Sequence, residues 1–109
     1  MNTKLRDAET RHQHFIDEVN RTSTLWALAK GDGLAVWSDE AGFILPVWSD
    51  EQGARVALSA FPDHEVRSYS LSSFKEVLSQ LANEDVMIGT NLDASMGGID
   101  ISCAEFQRL

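Results

Sequence analysis

Apolar residues recur along the first twenty positions with the spacing of a single helical face. The stripe predicts a helix from Leu5 to Arg21. His12 falls on this stripe, whereas His14 projects about 200° away from it at 100° per residue. Because residues two apart do not share a helix face, we interpret His12 as a partly buried packing residue and not as half of a metal-binding pair.

Three short segments rich in aromatic and aliphatic residues follow, separated by turn residues. They are Thr24–Lys30, Leu34–Ser38 and Phe43–Ser49. An Asp-Gly pair between apolar segments, as at Asp32-Gly33, is a strong hairpin signal. The pattern predicts an antiparallel three-stranded meander.

Helical and alternating patterns then follow one another to the end of the chain. They predict helices over Asp50–Phe61 and Ser73–Asn83 and strands over Val66–Leu71, Asp85–Leu92 and Gly98–Ser102. Ser102 and Glu105 form a capping box for a last helical turn over Cys103–Leu109. The order of elements predicts one two-layer α+β domain over residues 1–109, in which helices pack against a mainly antiparallel sheet.

One string of residues occurs twice, as VWSDEAG at Val36–Gly42 and as VWSDEQG at Val47–Gly53. After the second copy the pattern is helical, so Ser49 is expected to cap that helix, with Gln52 completing a capping box. In the first copy Gly42 is expected to supply the unusual backbone angle of a hairpin loop. The repeat therefore predicts two structural roles and not a duplicated site.

The three tryptophans, Trp26, Trp37 and Trp48, are eleven residues apart. Side chains alternate along a strand, so all three indoles are predicted on one face of the meander, together with Leu28, Ile44 and Pro46. The second face is also apolar and receives Leu25, Ala27, Ala29, Leu34, Val36, Phe43, Leu45 and Val47. Two interpretations stay open. The tryptophan face is either a core covered by helices or a partly open patch that binds a partner, since exposed contiguous aromatic residues mark binding surfaces.

The two turns determine which residues lie opposite each other. If Asp32-Gly33 is a two-residue turn, Leu28 faces Trp37, and if Asp39–Gly42 is a four-residue loop, Trp37 faces Ile44. Pro46 suits an edge position or a bulge because it lacks the N–H that a central ladder requires.

The net charge of −8 over 109 residues disfavours nucleic acid and anionic membranes as partners. A basic protein partner fits this charge, because opposite charges speed encounter. Cys103 is the single cysteine, so an intrachain disulfide is excluded and a cytoplasmic location is favoured. The charged N-terminal residues lack the apolar core of a secretory signal, and no apolar stretch is long enough to span a membrane.

Residues with catalytic potential have simpler explanations. Asp50 and Glu51 suit the first turn of a helix, and no catalytic or nucleotide-binding motif accompanies them. The loop from Asn91 to Gly98, which contains Asp93, is the remaining place for a small ligand. The sequence indicates no metal or cofactor and favours a protein that is not an enzyme.

Several segments resemble a known family. TLWALAKGDGLAV, GFILPVWSDE, SYSLSSFKEVLSQL and DVMIGTNL are similar to the small bacterial proteins of the domain of unknown function 2750 family. More distantly, the order of elements resembles the SseB-like domain of type III secretion enhancers. The resemblance implies an α+β fold and a bacterial cytoplasmic origin, and the nearer family implies no activity.

These observations favour a non-enzymatic interaction or regulatory module, immunity-like toward a basic protein. The alternative is a small-ligand-binding protein or minor metabolic enzyme with a pocket between the tryptophan face and the 91–98 loop. The candidate binding residues are Trp26, Trp37, Trp48, Ser49, Asp50, Glu51, Asn91 and Asp93.

Overall fold

The computed structural model describes residues 3–39, 42–80, 86–93 and 95–109. In this part of the chain the helices are α1 (Thr3–Thr22), α2 (Glu51–Ala57), α3 (Leu71–Gln80) and α4 (Cys103–Phe106). The strands are β1 (Thr24–Lys30), β2 (Gly33–Leu34), β3 (Trp37–Asp39), β4 (Gly42–Trp48), β5 (Glu65–Ser70), β6 (Val86–Thr90) and β7 (Ile99–Ser102). The predicted α+β fold is confirmed.

The strands form one mixed sheet that is mostly antiparallel. Strand β1 pairs antiparallel with β5, β2 and β4, and β3 pairs antiparallel with β4. Strand β6 runs parallel to β4 and carries β7 antiparallel on its far side. The parallel β4–β6 pair needs a crossover connection, which the segment containing α2, β5 and α3 provides.

The predicted three-stranded meander is replaced by a splayed arrangement. Strands β1 and β4 pair directly at Trp26 and Trp48, then separate, and the short strands β2 and β3 fill the gap between them. Between the β3 and β1 ladders, Pro46 on β4 has no partner on that side among the described residues. A residue without a backbone N–H therefore occupies a central strand at the point where no donor is needed.

The first turn differs from the predicted one by one residue. Because Lys30 pairs with Gly33, the turn residues are Gly31 and Asp32, and the prediction that Leu28 faces Trp37 is wrong. Gly31 has φ of 60°. A positive φ at the first central residue is what primed hairpin turns require, and glycine adopts it without steric cost.

The second hairpin has the predicted register. Trp37 lies opposite Ile44, as expected, and the pairing continues to Asp39 and Gly42. The predicted four-residue loop is therefore shorter, and its linking residues 40–41 lie outside the described residues. Gly42 has φ of 133°, the unusual angle that the sequence analysis assigned to it.

Helices cover both faces of the sheet, so the domain has three layers and not the predicted two. One face packs against α1, α3 and α4, where Phe15, Phe74 and Phe106 form the centre of the larger core. The opposite face packs against α2, where Ala54 and Ala57 meet the smaller core. The predicted division of side chains holds: Leu25, Ala27, Leu45 and Val47 belong to the larger core, and Trp26, Leu28, Ile44 and Trp48 to the smaller one.

Helix α2 begins one residue later than predicted. Its N-cap is Asp50, whose carboxylate accepts a hydrogen bond from the Gly53 N–H at 2.7 Å. The assignment of Ser49 as N-cap, with Gln52 completing a capping box, is therefore wrong. The Ser49 hydroxyl is engaged elsewhere, with the side chain of Asn91. At α4 the predicted capping box of Ser102 and Glu105 is confirmed.

The predicted helix over Ser73–Asn83 corresponds to α3, which begins earlier, and positions 81–83 lie outside the described residues. The helix predicted to end at Phe61 is α2 followed by a 3₁₀ turn over Leu58–Ala60.

Candidate functional site

The three tryptophans share one face of the sheet but differ in exposure. Trp26 and Trp48 are direct cross-strand partners. Trp37 pairs with Ile44, which lies four residues before Trp48 on β4 and so on the same face. Trp48 is 2% exposed, Trp26 is half-buried and Trp37 is 37% exposed. The two interpretations of this face therefore each hold for one tryptophan: Trp48 lies in a covered core, and Trp37 lies at an open surface.

Trp48 is held in place by two neighbouring segments, the end of β6 and helix α2. Its indole Nε1 donates a hydrogen bond to the Leu92 carbonyl at 3.0 Å, so its polar atom is satisfied inside the protein. Gly53 of α2 lies against the ring: a Cβ at this position would stand 2.8 Å from Trp48 Cδ1. The second copy of the repeated string therefore supplies an indole and, five residues later, the glycine that allows a helix to lie on it.

Asn91 connects three parts of the chain. Its Oδ1 accepts from the Ser49 N–H at 2.8 Å, and its Nδ2 donates to the Ser49 hydroxyl at 3.0 Å and to the Arg11 carbonyl at 3.2 Å. The Arg11 Nε in turn donates to the Asn91 carbonyl at 3.0 Å. Asn91 has φ of 49°, a left-handed angle that asparagine tolerates better than most residues. These contacts join α1, the start of α2 and the end of β6.

Asp93 organises the loop after β6. Its Oδ1 accepts hydrogen bonds from the Ser95 hydroxyl at 2.7 Å and from the N–H groups of Ser95 and Gly97 at 2.9 Å each. The hydrogen bond from the Ser95 side chain, followed by that from the Gly97 N–H, holds the pKa of Asp93 below its ordinary value. The Asp93 carboxylate therefore stabilises the turn of the loop in which it lies.

A polar depression of about 310 Å³ adjoins this loop on the α1 side. Its lining residues are Asp7, Ala8, Arg11, Asp93, Ser95, Gly97 and Gly98. No tryptophan is among them, so the depression is not the predicted pocket between the tryptophan face and the 91–98 loop. The Arg11 guanidinium is already engaged, since its Nη2 donates to the Gly97 carbonyl at 3.2 Å and lies 3.9 Å from Asp93.

The two acidic residues at the start of α2 are exposed but have structural partners. Asp50 caps the helix, and Glu51 forms an ion pair with Arg55 at 2.5 Å. Ser49 beside them is 8% exposed. The structure thus brings Trp48, Ser49 and Asn91 together in a buried junction, with Asp93 two residues beyond it and with Trp37 on the distant hairpin.

An apolar groove lies on the other face of the β3–β4 hairpin. Two adjoining depressions of about 290 and 280 Å³ share Val36 and Val86 in their linings. We call this the hairpin groove, defined by Leu34, Val36, Phe43, Val77 and Val86, with Asp32 on its lining. Val36 is 41% exposed and Phe43 is 52% exposed.

Alternation along the strands places Val36 and Phe43 on the second apolar face of the meander, and neither is among the candidate binding residues predicted from the sequence. No local pattern could have selected Val36, because Val36 and Val47 occupy equivalent positions in the two copies of the string. Val47 is fully buried between β1 and β6, whereas Val36 lies at the break between β2 and β3.

The environments of His12 and Cys103 give neither side chain a sign of enhanced reactivity. His12 is half-buried, as predicted, with Nδ1 2.6 Å from the buried Thr90 hydroxyl. Burial raises the pKa of the Cys103 thiol, which favours the unreactive protonated form. Within the described ranges no three His, Cys, Asp or Glu side chains are grouped to hold a metal ion. None of the helices in those ranges combines the length and apolar character needed to cross a bilayer.

A protein-family model described as "Protein of unknown function (DUF2750)" matches residues 12–109. The chain belongs to this family. The DUF2750 match includes all eight candidate binding residues and the hairpin groove. No curated protein and no solved structure matches the chain, so the wider likeness to the SseB-like domain has no support.

Proposed function

We propose that this protein is a non-catalytic interaction module that binds a basic protein partner through the hairpin groove. The observation that carries the proposal is the exposure of Val36 and Phe43 in an apolar groove of an acidic molecule. Exposed contiguous apolar side chains of this kind mark interaction sites.

The shape of the groove favours an extended or helical segment of a partner. Val36 and Val86 link the two depressions into one apolar floor, and Phe43 stands at one end of it. Asp32 lies at the other end, where the β1–β2 turn begins. A partner segment that carries an apolar side chain followed by lysine or arginine would match both ends.

The charge of the molecule favours a basic partner. Five basic side chains are tied to acidic neighbours: Arg11 to Asp93, Arg21 to Glu18, Lys30 to Asp63, Arg55 to Glu51 and Arg67 to Glu65. Since each pair removes one charge of each sign, the excess of acidic residues stays uncompensated. Such a field accelerates encounter with a positively charged surface.

The start of α2, which supplies several of the candidate binding residues next to Trp48, has less accessible apolar surface than the groove. Trp48 is covered by α2, and Asp50 and Glu51 remain outside as two carboxylates with local partners. Among the candidate binding residues Trp37 is apolar and 37% exposed, but it lies on the opposite face of the hairpin from the groove, so the proposed contact is made by Val36 and Phe43.

The test is affinity capture from a lysate of the source organism with matched variants. Wild type, Phe43→Ser and Val56→Ser are compared, because Val56 is 50% exposed on α2, away from the hairpin. We expect wild type and Val56→Ser to retain one basic protein in stoichiometric amounts, releasable by salt, and Phe43→Ser to lose it. Equal retention by Phe43→Ser, or a bound metabolite in place of a protein, would contradict the proposal.

A further inference from the structure

The two copies of the repeated string compete for the same place beside β1. Strand β2 pairs with β1 at Ala29–Leu34 and Lys30–Gly33, and the Ala35 N–H continues the ladder by donating to the Leu28 carbonyl at 2.8 Å. Two further steps in this register would bring Val36 opposite Ala27 and then Trp37 opposite Trp26. Those positions are occupied by Val47 and Trp48.

The coincidence is a consequence of the repeat length. The β1–β2 and β1–β4 registers differ by eleven residues, which is also the spacing of the two copies. Both β2 and β4 run antiparallel to β1, so either copy presents valine, tryptophan and serine in the same direction and on the same faces. The place beside Trp26 and Ala27 is therefore complementary to both.

We infer that the chain exchanges between two pairings, and that the structure shows the major one. In the minor pairing β2 continues through Ser38, so that Val36–Ser38 replaces Val47–Ser49 beside β1. The first copy is available for this exchange, because Val36 and Trp37 are partly exposed and neither of them pairs with β1.

The contacts of the second copy determine which pairing dominates. Against β1 itself the two copies are equivalent, so the difference lies in what else each copy touches. Trp48 bonds to the Leu92 carbonyl and packs under Gly53, and Ser49 bonds to Asn91. These three contacts are lost when the second copy leaves β1, so the pairing with the second copy is the more stable one.

The exchange is a conformational device because it controls the docking of α2. Trp48 and Ser49 directly precede Asp50, the N-cap of α2. When the second copy leaves β1, the indole under α2 is withdrawn and the helix loses the surface on which Gly53 lies.

Cross-linking tests the exchange. In a Cys103→Ser background, Leu25→Cys is combined either with Ser49→Cys, which reports the major pairing, or with Ser38→Cys, which reports the minor one. In the β1–β4 register Leu25 is in line with Ser49, whereas Ser38 lies opposite Phe43. Because Phe43 and Ser49 are six residues apart on the same strand, Ser38 and Leu25 are separated along the sheet by roughly 20 Å, at about 3.3 Å per residue. A disulfide needs Cα atoms within about 7 Å, so the Ser38→Cys pair cannot close in the major pairing.

Under a glutathione redox buffer we expect the Ser49→Cys pair to close quickly and the Ser38→Cys pair to close more slowly, but faster than global unfolding measured on the same variant. Adding Asn91→Gly, which removes the bonds to Ser49, should accelerate closure of the Ser38→Cys pair about tenfold. Closure no faster than global unfolding, with or without Asn91→Gly, would overturn the inference.

A second measurement leaves the core residues intact, in case Leu25→Cys does not fold. The wild-type chain labelled with 5-fluorotryptophan should show ¹⁹F exchange cross-peaks. These cross-peaks should connect the major-state resonances of Trp37 and Trp48 to their minor-state resonances. Trp37→Phe should abolish the exchange at Trp48. Exchange at Trp48 that persists in Trp37→Phe, or its absence from wild type, would equally overturn the inference.

Discussion

Trp26 and Trp48 lie directly opposite each other across the β1–β4 ladder, with the Trp48 indole hydrogen-bonded to the Leu92 carbonyl. This pair holds together the end of the sheet at which β1 and β4 meet. At the other end the two strands separate, and β2 and β3 carry apolar side chains out to the surface. One repeated string thus contributes both the buried indole and the exposed one.

Gly53→Ala is expected to destabilise the protein by about 1–3 kcal/mol, the usual effect of overpacking. Alanine is the better helix former, so intrinsic propensity alone would predict a gain of about 1 kcal/mol. The added Cβ would meet Trp48 Cδ1 at 2.8 Å, and the buried ring has little room to move. Urea unfolding measures the change. Gly33→Ala is the control, because its Cβ would meet its nearest neighbour at 3.5 Å, and a stabilised Gly53→Ala would contradict the packing of α2 on Trp48.

Asp50→Ala should lower the free energy of unfolding by about 1 kcal/mol through loss of the helix cap. The Asp50 carboxylate accepts the Gly53 N–H, which no other side chain is placed to take within the described residues. Gln52→Ala should change stability by less than about 0.5 kcal/mol, as for an ordinary surface position. Thermal melts of the two variants decide the matter: a larger loss in Gln52→Ala would restore the capping box centred on Ser49.

Asn91→Gly should cost about 2–3 kcal/mol, since it removes side-chain hydrogen bonds to Ser49 and Arg11. Glycine accepts the positive φ of this position, so the left-handed backbone angle adds no strain to this variant. Asn91→Ala should cost a further 1–2 kcal/mol, roughly, because of its left-handed backbone angle. Chemical denaturation of both variants separates the two contributions, and equal losses would show that the backbone angle carries no strain.

Asp93 is expected to contribute stability at neutral pH that is lost in acid. Its folded-state pKa lies below the ordinary value of 3.8, so the charged form is favoured in the native state. The contribution is therefore complete above pH 3.8 and disappears as the pH falls through the lower, folded-state pKa. Asp93→Asn should be less stable than wild type at pH 7, and the difference in the free energy of unfolding should shrink as the pH falls below 3.8. A difference that grows in acid would contradict the hydrogen bonds assigned to this carboxylate.

The larger features of the fold could be predicted from the sequence because they depend on periodicity. Helix α1 follows from its stripe, and the division of β1 and β4 into two faces follows from alternation. Ser102 and Glu105 define the last helix by local hydrogen bonds, so their spacing suffices.

The junction around Asn91 could not be predicted, because its partners are distant in sequence. Ser49 has the properties of an N-cap when read locally, yet Asn91, 42 residues away, takes its N–H and hydroxyl. The cap then moves to Asp50. Similarly, Val47 is buried because its copy of the string pairs with β1, whereas Val36 is exposed because its copy does not. This difference depends on tertiary pairing, which two copies of the same local sequence cannot reveal.

The contrast between the exposed Trp37 and the buried Trp48 separates the two copies of the string, and acrylamide quenching of single-tryptophan variants tests it directly. Trp26→Phe combined with Trp48→Phe leaves Trp37, and Trp26→Phe combined with Trp37→Phe leaves Trp48. We predict that Trp37 emits as a solvent-exposed indole and is readily quenched, whereas Trp48 emits at shorter wavelength and is protected. Equal quenching of the two, or stronger quenching of Trp48, would contradict both the buried junction and the exposed hairpin.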